Sequence, residues 1–126
     1  MGKQHKMFKT KQKIIQVKGL SEKERNEIKT YLQGQVYSFC KQKKNARFFL
    51  RDLLGGENYF WQKTPVFHLY QRQIDAGKDH RKAFNQAAKD AGKLLKWVLD
   101  IDKREFIVHR GWRLSYEWTL VENNDN

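Results

Sequence analysis

The chain's 126 residues suit one domain, since domains cluster near about 100–150 residues, and four Trp, five Tyr and eight Phe supply core material that a disordered chain lacks. Twenty-six Lys and Arg against fourteen Asp and Glu leave a net charge of +12, which concentrates polyanions and points to nucleic acid, with an acidic protein surface as the alternative. One cysteine rules out an internal disulfide, a Cys-rich zinc centre and a dithiol pair, and no stretch reaches the roughly 18 apolar residues of a membrane span, so a cytoplasmic protein with no membrane partner is expected.

Residues 1–20 carry Lys3, Lys6, Lys9, Lys11, Lys13 and Lys18 and no acid. This composition predicts a mobile basic arm. It lacks the apolar run of a secretory signal, and Ile14, Ile15 and Val17 are too few for an amphipathic membrane anchor. "KIIQVK" at 13–18 is the one strand-like segment outside the C-terminal region.

Ser21 and Glu24 stand at capping-box spacing, and Ile28, Leu32, Val36, Phe39 and Cys40 recur at helical intervals beyond them with Tyr31 alongside. The pattern predicts a helix over 22–43 with Cys40 as a buried, inert thiol. "NARFFLRDLLGGEN" reads as a short helix from about 45, stopped by Gly55 and Gly56, with Phe48, Phe49, Leu53 and Leu54 inward. Lys41, Lys43, Lys44, Arg47 and Arg51 form a positive block here. Tyr59, Phe60 and Trp61 follow in succession; they either pack on the core or dock a partner.

Thr64 before Pro65, the sole proline, is a cap with proline at the first helical position. It predicts a helix over 65–76, ended by Gly77. Gln62, Lys63, His68, Gln71, Arg72 and Gln73 give this segment donors and acceptors of the kind that meet base edges. Asp79 caps the next helix, whose Phe84, Ala87, Ala88, Ala91, Leu95 and Val98 form one apolar stripe. Lys78, His80, Arg81 and Lys82 crowd its N-terminus, where cations oppose the macrodipole and a bound phosphate would relieve the conflict.

"KREFIVHRGWRLSYEWTL", residues 103–120, reads as a β-hairpin. A type I turn with Gly111 as a left-handed bulge pairs Val108 with Trp112 and Phe106 with Leu114. That register buries Phe106, Val108, Trp112, Leu114 and Tyr116, continued by Trp118 and Leu120. It turns Glu105, Ile107, Arg113 and Ser115 outward, and leaves His109 and Arg110 in the turn with Arg113 beside it as a cationic tip. A hairpin alone is marginal, so a third strand is wanted.

Helices followed by a hairpin with a basic tip resemble the winged helix-turn-helix superfamily of DNA-binding domains, over about residues 45–120. Ala88 and Gly92 stand four apart as in the helix-turn-helix pattern, and Val98 and Ile101 fall where it places later core residues. The resemblance implies a reading helix over 94–101 presenting Lys93, Lys96 and Trp97, if a turn exists at Gly92. If the helix runs through, the reading helix is 64–76.

Chemistry has little to stand on. His5, His68, His80 and His109 are scattered, and no nucleophile elbow, Walker A or dinucleotide fingerprint is present. Asp100, Asp102 and Glu105 are the only dense carboxylates; a connecting loop is the plain reading and a metal-dependent nuclease the alternative. The sequence therefore predicts a mainly α protein with a small β-sheet, winged-helix-like, with a domain over 21–121, an arm over 1–20 and a tail over 122–126. It predicts a non-catalytic, cofactor-free and metal-free role: binding double-stranded DNA through a helix, a hairpin wing and the arm, in transcription regulation or as an accessory factor. The alternatives are an RNA-binding module that stacks bases on Tyr59, Phe60 and Trp61, and an inhibitor that covers an acidic protein.

Overall fold

A computed structural model describes residues 6–7, 16–42, 47–54 and 61–119. Its elements run in the order β1 (Lys6–Met7), α1 (Glu22–Gln42), β2 (Arg47–Phe49), α2 (Leu50–Leu54), α3 (Phe67–Asp75), α4 (His80–Ile101), β3 (Glu105–His109) and β4 (Ser115–Thr119). The protein is mainly helical with a small antiparallel sheet, in the strand order β1-β3-β4-β2. None of the described helices is long and apolar enough to cross a membrane.

The helix signals work as the local chemistry requires. Ser21 Oγ accepts from the Glu24 amide at 3.0 Å and Glu24 Oε1 accepts from the Ser21 amide at 3.1 Å, a reciprocal capping box that satisfies two otherwise orphaned donors. Ser21→Ala is expected to cost about 1 kcal/mol in urea unfolding, and an unchanged midpoint would show the cap to be idle. Ile28, Leu32, Val36 and Cys40 form the buried stripe of α1.

The helix itself begins at Phe67, with Val66 at the cap and no side-chain cap bond, so Thr64 and Pro65 start only a tight turn before it and not the helix expected over 65–76. The amides of Phe67, His68 and Leu69 donate to the carbonyls of Thr64, Pro65 and Val66, so three-residue spacing precedes the regular α3. At its other end Gly77 takes φ +96°, its amide reaching the Ile74 carbonyl at 2.9 Å while that of Lys78 reaches Gln73 at 3.2 Å. These are the two bonds of a Schellman cap, and the positive φ is why glycine stands there.

Asp79 caps α4 through the Lys82 amide at 2.9 Å. The helix continues unbroken from His80 to Ile101, so Gly92 is an ordinary helical residue and no separate reading helix exists over 94–101. Ala83, Ala87, Ala91, Leu94, Leu95, Val98 and Leu99 are buried along it.

Residues 45–54 are not one helix. Arg47–Phe49 is a strand antiparallel to β4, and only Leu50–Leu54 is helical, begun by Asp52 accepting from the Phe49 amide at 2.8 Å. Phe48 is fully buried and is met by the rings of Phe39, Phe106 and Tyr116 at 5.1, 6.1 and 5.8 Å. This aromatic cluster stabilises the short strand more than local helix propensity favours the alternative.

The hairpin register also differs from expectation. Val108 pairs with Tyr116 and Phe106 with Trp118, so the connection is the five-residue stretch 110–114 and Gly111 is not in the left-handed region. His109 therefore lies in β3 opposite Ser115 rather than in the turn, Ser115 is buried, and Trp112 is 94% exposed. Pairing with Phe48 of β2 draws Tyr116 into the centre of the sheet and lengthens the loop. The third strand beside β3 is Lys6–Met7; residues 16–18 form no strand, and 13–15 lie outside the described residues.

Val17 and Leu20 are buried, so the packed domain begins within the segment assigned to the arm. Gly19 turns there at φ +88°, and a Cβ on it would meet an Arg72 guanidinium nitrogen at 2.6 Å, a second position that requires glycine.

Burial pushes the Cys40 thiol from 9.0 up to about 11 and the Tyr116 phenol from 10.0 up to about 12, the latter offset in part by Arg110. Both groups resist ionising only when folded, so their contribution is intact below pH 9 and is lost as pH rises through 9–12. The urea midpoint is expected to hold from pH 7 to 9 and fall toward pH 11, with Cys40→Ala plus Tyr116→Phe flattening the fall. An equal fall in that double variant would assign the effect elsewhere.

Candidate nucleic-acid interface

The sheet has two chemically different faces. Phe48, Phe106, Val108 and Tyr116 point inward and are buried. Alternation puts Phe49, Ser115 and His109 on the outer face, and the pairing registers set them side by side across β2, β4 and β3. Arg47, Glu117 and Ile107 form the next row. His109 Nε2 lies 2.9 Å from Glu117 Oε1, which ties the two rows together.

Around the Phe49–Ser115–His109 floor, three elements bring cations. β2 contributes Arg47, α2 contributes Arg51, and the hairpin loop contributes Arg110 and Arg113 with Trp112 between them. Together they line a cleft of roughly 440 Å³ with no carboxylate among the described residues of its lining. Arg51 lies 5.9 Å over the Phe49 ring, a cation–π approach between two residues of the lining. All four arginines are exposed. Guanidinium forks converging from separate elements match phosphate oxygens better than ammonium groups do.

Of the residues singled out from sequence, the structure joins Arg47, Arg51, His109, Arg110 and Arg113 in this one place. It employs those of α3 elsewhere. Arg72 bonds the buried Asp90 carboxylate at 2.6 Å and the Lys18 carbonyl at 2.7 Å, and Gln71 donates to Asp75 at 2.8 Å. His68 lies 3.8 and 3.5 Å from Glu24 and Glu27 of α1. Gln62 and Lys63 are exposed, and Gln73 is half-buried. A second groove beside them mixes Glu27 with Lys23 and Lys63, a poor field for an anion.

Lys78, His80, Arg81 and Lys82 stand exposed at the start of α4, where the His80 ring meets the Tyr70 hydroxyl; none of them lines the arginine cleft. Lys93 reaches the Asp90 carboxylate at 3.8 Å, Lys96 is half-buried on the same helix, and Lys41 lies 5.8 Å over Tyr37. Lys43, Lys44, Tyr59, Phe60, Lys3, Lys9, Lys11, Lys13, the stop at Gly55 and Gly56, Leu120 and the 122–126 tail lie outside the described residues. Trp61 is buried and tilts against Phe84 at 5.0 Å, so it serves the core and is closed to base stacking.

Among the carboxylates near the end of α4, Asp102 is committed as well. Asp102 is buried and is held by Arg104 at 2.6 Å and Gln33 at 2.5 Å, while Glu105 is exposed. No group of three His, Cys, Asp or Glu side chains able to hold a metal occurs among the described residues.

The sequence reading missed two members of the cleft. The sequence pattern places Phe49 in the core and Trp112 on the buried face of the hairpin. The signal for Trp112 was its neighbours, since Arg110, Gly111 and Arg113 make "RGWR" a polar loop tip into which a buried tryptophan fits poorly. Comparison with protein-family models, curated proteins and solved structures gives no match.

Proposed function

We propose that this is a non-catalytic nucleic-acid-binding protein that seats a sugar–phosphate backbone in the arginine cleft at the hairpin tip. The observation that carries this reading is the convergence of Arg47, Arg51, Arg110 and Arg113 on a cleft whose lining, among the described residues, holds no carboxylate, in a chain of net charge +12. Cations placed together by β2, α2 and the hairpin loop neutralise neighbouring phosphates. The +12 charge draws the polyanion in. Binding without chemistry fits the engagement of Asp102 by Arg104 and Gln33, and it suits an accessory or regulatory factor.

Fluorescence anisotropy with labelled oligonucleotides between 50 and 200 mM salt tests this reading. Three or four neutralised phosphates give a log–log slope of about −3, so affinity should drop roughly fiftyfold over that range. Salt-independent binding, or none at 50 mM, would refute it.

A further inference from the structure

We infer that the cleft takes a single strand, with an unpaired base stacked on Trp112 and the flanking phosphates held by the arginines; the inference rests on the nucleic-acid reading above. Trp112 is 94% exposed while Tyr116 and Trp118 on the same hairpin turn to the core. Its indole is therefore free to meet a ligand without unpacking the fold. Arg110 and Arg113 flank it, and Arg47 and Arg51 close the cleft from the other side.

A duplex offers phosphates and base edges but keeps its base faces stacked inside, so an exposed indole among arginines finds nothing flat to cover. A single strand offers ring faces and phosphates in alternation, which is the order in which the loop presents Arg110, Trp112 and Arg113. The floor of Phe49, Ser115 and His109 is three strands wide, about 10 Å across at the usual strand spacing. That width suits one nucleotide. RNA and DNA single strands share this chemistry.

Three probes of one 12-nucleotide sequence, single-stranded DNA, single-stranded RNA and the DNA duplex, with polyglutamate as a competitor, separate the outcomes. Both single strands, or one of them, should bind at least tenfold tighter than the duplex. Trp112→Leu should lower single-strand affinity about tenfold and leave the duplex unaffected, and Trp112→Phe should restore most of it. Because the indole is exposed, the urea midpoint should match the parent's. Equal or tighter duplex binding, indifferent to Trp112→Leu, would overturn the inference in favour of a wing laid on duplex DNA while leaving the cleft reading intact. Displacement by polyglutamate at equal charge concentration, or no binding to any oligonucleotide, would overturn both.

Discussion

Changing Arg47, Arg51, Arg110 and Arg113 together to glutamine is expected to weaken oligonucleotide binding by about a hundredfold at 0.1 M salt and to flatten the salt slope by about 3. Each exposed cation–phosphate pair contributes up to about 1 kcal/mol, so four together reach the roughly 3 kcal/mol that a hundredfold requires. Glutamine keeps most of each stem and removes the charge. The change takes away four of twelve net positive charges, and the matched comparison is Lys23, Lys78, Lys89 and Lys103, all exposed and outside the cleft, changed to glutamine. Equal loss in the two quadruple variants would mean that general charge, not the cleft, does the binding.

The largest stability effect falls on a residue that sequence reasoning placed at a DNA interface. Arg72→Ala is expected to cost about 3 kcal/mol, because it removes the close cation of the Asp90 carboxylate, 4% exposed as a side chain, leaving it the Gln86 amide at 3.1 Å, and releases the Lys18 carbonyl that anchors the start of the domain. Against a total of about 5–15 kcal/mol, that is a severe loss in urea unfolding. Replacing both partners, Arg72→Met with Asp90→Leu, should recover most of it, since no charge is then left buried. A single variant within 1 kcal/mol of the parent would show that Gln86, at 3.1 Å, and Lys93, 3.8 Å from Asp90, already satisfy the carboxylate.

Asp90 was visible in principle. It stands on the stripe of Ala83, Ala87, Leu94 and Val98, seven residues after Ala83, and a carboxylate on an apolar face calls for a buried cation. What the sequence could not supply was the partner, because Arg72 comes from the neighbouring helix. The local signals, by contrast, needed no partner: the Ser21–Glu24 box, the Asp79 cap and the Gly77 terminus are set by residues within a few positions of each other.

The hairpin shows how a correct pattern accompanies a wrong register. Pairing Val108 with Tyr116 rather than Trp112 moves the partner strand by an even number of residues, so Phe106, Val108, Tyr116 and Trp118 stay on the inner side either way. Alternation fixes the face. The register depends on β2, whose Phe48 enters the aromatic cluster with Phe106 and Tyr116, and a three-residue strand beside a five-residue helix carries too little periodicity to be recognised alone. Misreading that one segment hid the cleft, because Arg47, Phe49 and Arg51 belong to it. The positive charge was legible; its meeting with the hairpin tip was not.

The most direct measurement is a chemical-shift map of the ¹⁵N-labelled full chain titrated with the 12-nucleotide single strand at 50 mM salt. The largest changes are expected on the amides of 47–51 and 109–115, and on the Trp112 indole. Changes confined to α3 and the start of α4, with the Trp112 indole unmoved, would contradict the cleft reading.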